Sequence, residues 1–447
     1  MSSDGIPRTF FIRTFGCQMN LHDSEHVAGV LEAAGLGRCE SPDEARLVIF
    51  NTCCVRKSAE DRFWGNLAAV VADSVESGRM VAVCGCIAER YGVEILARFP
   101  GVSLVFGMDR LESLPEMLAL CARSPLCDLG DVELASIDHL PSCAATESHA
   151  WVPISHGCDN NCAYCVVPLV RGPERQRAPG DILEEVRRLA ASGVIEVTLL
   201  GQNVNSWRGE PDESFADLLE RIAKVPGIAR VKFETSHPRD LDDRILEVMA
   251  GTPQVCEYLH LPVQSGSDAV LEAMGRGYGR EYYLQRLALA RELVDGISIT
   301  TDVMVGFPGE SEKDHQDTMD LIRRARFDAA YLFLYSRREG TPAAEIRQEV
   351  PRRVVRRRFA ELGALQEEIT HTALEGMVSS RKEVLLEGRA RRGPMLSGRA
   401  RGHQVVLVEP GAFEAGSLVE VSITGAGRHT LRGRVEKVLR PGGVSGA

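Results

Sequence analysis

The stretch HGCDNNCAYC, His156–Cys165, places three cysteines within eight residues, at Cys158, Cys162 and Cys165. A structural zinc site is closed by four protein ligands and usually comes as two paired clusters, whereas this C-x3-C-x2-C spacing stands alone. His156 could supply a fourth ligand, which keeps zinc as an alternative. Three thiolates also suit a cubane iron–sulfur cluster with one iron left open to bind another molecule. The stretch therefore indicates a reactive metal centre rather than a scaffold.

The residues after position 149 alternate strand-like and helix-like runs, which predicts a part-barrel of parallel (β/α) units, short of the usual eight. The cysteine stretch follows the first strand. It therefore lies on the carboxyl-end face, where such barrels carry their chemistry. The six strand-like runs are WVPISHG at 151–157, IEVTLLG at 195–201, RVKFETS at 230–236, YLHLPV at 258–263, ISITTDVMVGF at 297–307 and AAYLFLYS at 329–336.

A similar alternation over residues 8–125 predicts a small parallel α/β domain with the strand-like runs RTFFIRTFG, ARLVIFN and MVAVCG. Cys17, Cys53 and Cys86 each come just after one of these strands. The carboxyl ends of parallel strands share one edge of the sheet, which is where open α/β sheets build their sites. We therefore expect the three cysteines, distant in sequence, to lie close together.

Two further regions complete the predicted organisation. Residues 126–148 show no period and carry scattered Pro, Ser and Asp, so they are predicted to be a linker, and Cys143 within it is interpreted as an unliganded thiol. The part-barrel domain spans 149–375, and its arginine-rich end, 352–358, is either a solvated helix face or an RNA contact. Residues 378–440 predict a small β-barrel with twelve Lys or Arg against six Asp or Glu.

The composition fits a globular protein of roughly three domains, with 447 residues, 44% apolar and 26% charged. No apolar run is long enough to cross a bilayer, and the first residues lack the pattern of a signal peptide, so a cytoplasmic protein without a membrane partner is predicted. Cytosolic thiols are kept reduced, which makes the 13 cysteines candidate ligands or packing residues rather than disulfides. The net charge of -11 argues only mildly against a nucleic-acid partner, because one domain is locally basic.

The cysteine stretch after the first barrel strand resembles the radical S-adenosylmethionine (SAM) superfamily, and TFGCQMNLHDSE, FNTCCVR and AVCGCIAE resemble its methylthiotransferase family. The likeness covers nearly the whole chain. It implies an α/β fold with a small parallel amino-terminal domain, a six-stranded radical SAM part-barrel and a carboxyl-terminal all-β TRAM barrel, an OB-like module that binds RNA. Whether Cys54 or Cys84 replaces a neighbouring ligand stays open. The resemblance implies two 4Fe-4S clusters, one held by Cys158, Cys162 and Cys165 and an auxiliary one held by Cys17, Cys53 and Cys86.

The same resemblance implies that SAM binds the open iron of the first cluster, with no catalytic residue beyond the cluster ligands. Tyr164, the aromatic residue before the last cysteine, would pack near the adenine of SAM. The other implied contacts to SAM follow barrel strands and are Gly201, Gln202, Ser236, Gln264 and Gly306. The implied contacts to RNA are Arg389, Arg391, Arg392, Arg399 and Arg401.

Within the family, LLGQNVNSW, FETSHPRDL, LHLPVQSGSDAVLEAMGRGY and TDVMVGFPGES resemble the branch that methylthiolates carbon 2 of N6-(dimethylallyl)adenosine at position 37 of tRNA, next to the anticodon. The alternatives are action on threonylcarbamoyladenosine in tRNA or on a ribosomal protein, and a non-enzymatic zinc and RNA-binding module. A monomer is predicted. Its implied partners are the tRNA anticodon arm, an electron donor such as a flavodoxin or ferredoxin, and an iron–sulfur carrier protein. The sulfur source and the choice of tRNAs are left open.

Overall fold

The structure, a computed structural model, describes residues 7–55, 57–130, 148–209 and 212–442. The chain divides into two compact units, and the cysteine stretch is shared between them. The first unit comprises Met1–Ala145, His156–Asn160 and Cys165–Arg175. The second unit comprises Thr146–Ser155, Asn161–Tyr164 and Gln176–Ala447. Cys158 and Cys165 therefore belong to the first unit and Cys162 to the second.

The first unit is built on a six-stranded parallel sheet with the strand order β2-β1-β3-β4-β5-β6. Its strands are β1 Thr9–Phe15, β2 Gly37–Arg38, β3 Leu47–Thr52, β4 Met80–Cys84, β5 Leu104–Phe106 and β6 Leu126–Asp128. Its first five helices are α1 Gln18–Ala33, α2 Lys57–Ser77, α3 Cys86–Tyr91, α4 Val93–Arg98 and α5 Leu114–Cys121. The central strand β3 is buried along its whole length because both faces of the sheet are covered.

The alternation of side chains along β3 shows how the two faces are filled. Leu47 and Ile49 pack into an apolar cluster with residues of α1 and α5, while Val48 and Phe50 pack into the cluster on the other face with residues of α2. The sheet also continues to Asp128, into the segment that the sequence analysis placed in the linker. Cys143 lies outside the described residues.

The described residues of 148–209 and 212–334 form ten strands and seven α-helices. The strands are β7 His149–Pro153, β8 Ser155–His156, β9 Arg175–Gln176, β10 Glu196–Leu200, β11 Arg208–Gly209, β12 Glu213–Ser214, β13 Arg230–Phe233, β14 Tyr258–His260, β15 Ser298–Val305 and β16 Ala329–Leu334. The helices are α6 Val167–Arg171, α7 Pro179–Ala191, α8 Phe215–Ala223, α9 Asp243–Gly251, α10 Asp268–Ala273, α11 Arg280–Leu293 and α12 Glu312–Ala325.

The six strands predicted for the part-barrel are β7, β10, β13, β14, β15 and β16, and all six are present. They form two parallel three-stranded sheets, β7-β10-β13 and β14-β15-β16. A parallel bridge between Val231 and Val255 joins β13 to the segment that leads into β14. The predicted fold class is therefore confirmed for this part of the chain.

Helix α13, Arg352–Glu375, leads into a closed barrel with the strand order β17-β18-β19-β21-β20, which confirms the predicted carboxyl-terminal all-β fold. Its strands are β17 Arg381–Arg389, β18 Leu396–Ala400, β19 Val405–Val408, β20 Leu418–Ala426 and β21 Leu431–Arg440. Among the described helices of the chain, none has both the length and the apolarity needed to span a bilayer.

The carboxyl-terminal barrel packs against the amino-terminal ends of the part-barrel strands, within the second unit. The ring of His403, in the turn between β18 and β19, stacks on Tyr258 at the start of β14 with centroids 4.6 Å apart. Arg230, the first residue of β13, donates to the carbonyl oxygen of Arg399 at 3.1 Å. The carboxyl-terminal barrel thus closes the end of the part-barrel opposite the predicted reactive face.

Candidate functional site

The structure brings Cys17, Cys53 and Cys86 together, as the strand pattern predicted. They follow β1, β3 and β4, which are adjacent in the sheet. The three thiols are near enough to one another that Cys17 and Cys86 both raise the pKa of Cys53. The preceding glycine allows this approach, since Gly16 has φ +143° and a Cβ there would lie 2.4 Å from Cys53 Cβ.

Arg171, at the end of α6, supplies a positive charge to this cysteine set. Its Nε donates to Cys86 Sγ at 3.4 Å, and its Nη2 donates to a carboxylate oxygen of Asp23 at 3.0 Å. The side chains of Arg171 and Asp23 are buried, with 14% and 2% exposed. A hydrogen bond from a buried guanidinium stabilises a thiolate, which is the form of cysteine that binds metal.

The three thiols differ in how readily they lose a proton. Hydrogen bonds from Cys53 and Cys54, with the charge of Arg171, hold the pKa of Cys86 well below its usual range. A hydrogen bond from Cys53 lowers the pKa of Cys17 to about 7, against the opposing effect of burial. The pKa of Cys53 is raised, because hydrogen bonding to Cys17 and Cys86 favours its protonated form and burial adds to the effect. The set therefore favours anionic sulfur at Cys17 and Cys86.

The adjacent cysteines have different surroundings. The Cys54 thiol contacts Cys86 and packs in the apolar cluster on the α2 side of the sheet. Cys84 packs in the cluster on the opposite side, where burial raises its pKa well above the usual value. Cys54 is therefore the neighbour that lies next to the set, and Cys84 is a packing residue.

No group of three or more His, Cys, Asp or Glu side chains in the described residues is placed so that it could hold a metal ion. Each of the three thiols of Cys17, Cys53 and Cys86 nevertheless lies near enough to another to shift its pKa. The donor chemistry nonetheless fits an iron–sulfur cluster, because its thiolates bind different irons. The ligand assignments of both cysteine sets stay predictions.

The cysteines of the stretch 156–165 each accept a hydrogen bond at sulfur. Cys158 Sγ accepts from the backbone of Asn160 at 3.4 Å, and Cys165 Sγ accepts from the backbone of Val167 at 3.5 Å. In the second unit, Cys162 Sγ accepts from Arg276 at 3.2 Å. Arg276 is 5% exposed, so this second buried guanidinium serves the other cysteine set as Arg171 serves the first.

The residues predicted to contact SAM lie beyond the carboxyl ends of the part-barrel strands. Gln202 Oε1 and Ser236 Oγ, after β10 and β13, are buried and have no hydrogen-bond partner among the described residues. The same holds for Ser155 Oγ, and a Cβ at Gly201 would lie 2.6 Å from that oxygen. Buried polar atoms normally have partners, so these three fit the binding of a polar ligand.

The three other predicted SAM contacts each have a backbone or packing role within the protein. Gln264 has φ +72°, and its backbone bonds to Asp302 and Met304. Gly306 has φ +81°, and a Cβ there would lie 2.7 Å from Val355 of α13, so the close approach of that helix is sufficient reason for glycine. Tyr164 packs in an apolar cluster with Met274 and Phe307.

The arginines predicted to contact RNA fall into two groups. Arg389, Arg391 and Arg392 are exposed, and none of them pairs with a carboxylate in the described part of the chain; Arg389 borders a cavity of about 500 Å³. Arg401 instead donates to both carboxylate oxygens of Glu257, at 2.8 and 2.7 Å, and Arg399 pairs with Glu387 at 2.9 Å. The guanidinium of Arg401 thus joins the carboxyl-terminal barrel to the part-barrel, and the RNA contacts of all five arginines stay predictions.

The arginine run of α13 is also divided. Arg357 pairs with Glu312 and Glu361, and the buried Arg358 pairs with Glu310 at 2.6 Å. Arg352, Arg353 and Arg356 are exposed on the first turns of the helix. Only these three leave positive charge open to a partner.

Sequence reasoning missed the two buried arginines that contact cysteine sulfur, Arg171 and Arg276. Both precede a glycine, in VRG and GRG, but nothing in the local pattern distinguishes them from surface arginines. Their roles depend on partners 85 and 114 residues away along the chain.

Comparison with known proteins agrees with this architecture. A model of the radical SAM superfamily matches residues 152–322, and one described as uncharacterized protein family UPF0004 matches residues 9–107. The solved structure of the radical SAM methyltransferase TsrM from Kitasatospora setae, with cobalamin and a [4Fe-4S] cluster bound, covers 75% of this chain and 77% of its own, with a TM-score of 0.56. At 15% identity that likeness shows a shared fold.

The fold and the matched domain are those of radical SAM proteins. A tRNA-2-methylthio-N(6)-dimethylallyladenosine synthase of Acidothermus cellulolyticus is 44% identical over 434 residues, covering 95% of this chain and 87% of that protein. The protein of the same name from Syntrophomonas wolfei is 42% identical and covers 96% and 98% of the two chains. The chain belongs to the family of tRNA-2-methylthio-N(6)-dimethylallyladenosine synthases.

Proposed function

We propose that this chain is a transferase that methylthiolates carbon 2 of N6-(dimethylallyl)adenosine at position 37 of tRNA by radical SAM chemistry. The observation that carries the proposal is the presence of two separate cysteine triads at carboxyl ends of parallel strands, each with a buried arginine donating to one sulfur. Family membership supports the substrate, since relatives named for this product match nearly the whole chain.

The reaction explains why such parts are needed. Carbon 2 of a purine carries a C–H bond with neither acidity nor a leaving group, so ordinary acid–base or nucleophilic catalysis has nothing to act on. A SAM-ligated 4Fe-4S cluster, when bound, supplies the electron that turns SAM into a hydrogen-atom abstractor, and an auxiliary 4Fe-4S cluster supplies a place for sulfur.

Residues of this chain have separate tasks in that scheme. Cys158, Cys162 and Cys165 would hold the first cluster, and Cys17, Cys53 and Cys86 the auxiliary one. Gln202 and Ser236 offer buried oxygens to SAM, and Tyr164 offers an apolar surface to its adenine. The domains would span 8–128, 149–375 and 378–440, with the linker between the first two beginning after β6 rather than at residue 126.

The RNA would be held by exposed positive charge. Arg389, Arg391 and Arg392 meet no carboxylate within the described residues, so their guanidinium groups are available to phosphates of the anticodon arm. We further propose that the chain acts in the cytoplasm as a monomer, takes electrons from a flavodoxin or ferredoxin, and receives clusters from an iron–sulfur carrier protein.

The test is product formation by purified, anaerobically reconstituted protein with SAM and a reductant. Anticodon arms carrying dimethylallyladenosine, threonylcarbamoyladenosine or plain adenosine at position 37 are compared, and nucleosides are read by mass spectrometry. We expect methylthiolation of the first arm only and about eight iron atoms per chain, as two cubane clusters require. Product only on the threonylcarbamoyl arm, or a colourless protein with stoichiometric zinc, would reverse the assignment.

A further inference from the structure

The inner face of the part-barrel carries a set of polar side chains that the scheme above does not use. Side chains alternate between two faces along each strand, and the outer-face residues Phe233, Leu259 and Val303 pack in the apolar core with the surrounding helices. Their strand neighbours therefore point inward. Four of these inward residues are together called the lumen cluster, and they are Glu234, His260, Asp302 and Tyr331.

The four residues lie close to one another. Asp302 and Tyr331 are register partners on β15 and β16. His260 Nε2 lies 3.6 Å from the Asp302 carboxylate, and the His260 and Tyr331 rings meet edge to face with centroids 5.9 Å apart. Glu234 is near enough to His260 and Asp302 that the charge of His260 lowers the pKa of its carboxyl group and the charge of Asp302 raises it. The cluster is thus one contiguous patch with two carboxylates, one imidazole and one phenol.

The layer beneath the lumen cluster is buried and holds one carboxylate between two cations. Glu196 lies 2.8 Å from Arg230 and 3.1 Å from Lys232, and all three side chains are at most 5% exposed. The carboxyl-terminal barrel covers this end through the stack of His403 on Tyr258. A ligand of the lumen cluster must therefore enter from the carboxyl-end face.

The lumen cluster itself is left incomplete by the protein. Tyr331 is 45% exposed although it points into a barrel, and the Asp302 side chain is 24% exposed. The Glu234 carboxylate makes no side-chain hydrogen bond with any described residue, and burial raises its pKa. An open aromatic face beside two acceptor groups is suited to a flat ring with hydrogen-bond donors on its edge.

The cluster also adjoins the residues assigned to SAM. The carbonyl oxygen of Asp302 accepts from the backbone of Gln264 at 2.9 Å. Glu234 comes two residues before Ser236, whose hydroxyl is one of the unpartnered buried atoms. A molecule on the lumen cluster would therefore lie next to the residues assigned to SAM.

We propose that the lumen cluster binds the target purine nucleoside. The ring packs on Tyr331, and the carboxylates of Glu234 and Asp302 accept from the N6–H and the ribose 2′-hydroxyl. This rests on the proposed function and deepens it, because a prenylated adenosine retains one N6–H donor and a flat ring whose carbon 2 must be fixed beside SAM. His260 holds the Asp302 carboxylate in place.

The experiment compares Tyr331→Ala, Tyr331→Phe and Glu234→Gln in the full-length, cluster-loaded protein, with the exposed Leu120→Ala as control. Iron content and SAM cleavage without RNA are measured first. We then measure the dissociation constant for the dimethylallylated anticodon arm. With an arm that carries deuterium at carbon 2, we also measure the transfer of deuterium into 5′-deoxyadenosine. Loss of a base–aromatic stack predicts that Tyr331→Ala weakens binding of the arm about 10-fold and reduces deuterium transfer. Tyr331→Phe and Leu120→Ala should bind like the unchanged protein.

The outcomes separate this site from the reaction. Unchanged affinity and deuterium transfer in Tyr331→Ala and Glu234→Gln would overturn the proposal. A loss of RNA-independent SAM cleavage in the same variants would also overturn it and assign the cluster to SAM. If the unchanged protein binds the arm through Tyr331 but forms no methylthio product, the proposed reaction fails while the nucleoside site stands.

Discussion

Arg171 donates from Nε to Cys86 Sγ across 3.4 Å, and this hydrogen bond ties the two cysteine triads to one short segment of chain. Arg171 ends α6, a five-residue helix that begins two residues after Cys165. One short helix thus links a predicted ligand of the SAM-binding cluster to the cation beside the auxiliary set. Asp23 fixes the other side of the guanidinium, so its orientation is set by two anionic partners.

We expect Arg171→Gln to impair the auxiliary centre while sparing SAM cleavage. The change removes the charge that stabilises the Cys86 thiolate and leaves the Asp23 carboxylate buried without its cation. Removing such a supporting hydrogen bond typically lowers metal affinity or activity about 10- to 100-fold. Iron counts and electron paramagnetic resonance of the reduced protein report the auxiliary cluster, and 5′-deoxyadenosine reports SAM cleavage. Arg38→Gln, an exposed arginine in the same unit, is the control, and equal effects of the two changes would exclude a positioning role.

Cys53 and Cys54 should behave differently although they are neighbours. Cys17 and Cys86, the other members of the triad, both shift the pKa of Cys53, whereas Cys54 packs in the apolar cluster and lowers the pKa of Cys86. Cys53→Ala is therefore expected to lose about four irons, one cubane cluster, and all methylthiolation. Cys54→Ala should keep both. The reverse pattern in iron content would show that Cys54 is the ligand.

The sequence predicted the long strands and the edge of the sheet at which the cysteines lie. It did not predict the hydrogen bonds that buried charged side chains make. Alternation identified β1, β3, β4 and the six part-barrel strands because their apolar runs are long enough to show a period. β5 and β6 have three residues each, as has β14, which was identified because it lies in the six-residue run YLHLPV at 258–263. The local sequence does not distinguish Arg171 and Arg401 from surface arginines, because their carboxylate partners lie 148 and 144 residues away along the chain.

Arg230→Met is expected to destabilise the part-barrel. The Arg230 side chain has no exposed surface and pairs with Glu196, so its removal leaves a buried carboxylate with one of its two close cations lost and Lys232 and the His149 ring beside it. Breaking a buried pair from one side costs about 3 to 5 kcal/mol. Denaturant unfolding followed by circular dichroism measures the change, with Arg244→Met, at a half-exposed ion pair, as the control. Equal destabilisation of both variants would contradict a special role for the buried pair.

Stability of the second unit is expected to fall as the pH drops from about 6.5 towards 4. Burial lowers the pKa of His149 to about 4, with Lys232, Arg230 and Arg399 adding to the effect and Glu196 opposing it. The unfolded chain, where histidine titrates near 6.5, then binds a proton that the folded state refuses. Each such group makes the unfolding free energy about 1.4 kcal/mol smaller per pH unit in this window. The slope should be shallower in His149→Gln, which can still bond to Thr198, and an unchanged slope would rule His149 out as a cause.

Replacing Arg389, Arg391 and Arg392 by alanine together should weaken tRNA binding mainly through its salt dependence. Each arginine that no longer neutralises a phosphate reduces the slope of log affinity against log salt concentration by about 0.7 to 0.9, so the slope should shrink by about 2 to 3. Filter binding of one tRNA across a salt series gives that slope.

Deletion of residues 378–447 is a poorer test of RNA contact, because it also removes the Arg401 pair with Glu257 and the carbonyl oxygen that Arg230 bonds. The deleted protein should lose both tRNA affinity and stability of the part-barrel, whereas the triple variant should unfold like the unchanged chain. If the triple variant keeps the slope of log affinity against log salt concentration, the RNA contacts another part of the protein. The exposed arginines of α13, Arg352, Arg353 and Arg356, are then the next to replace.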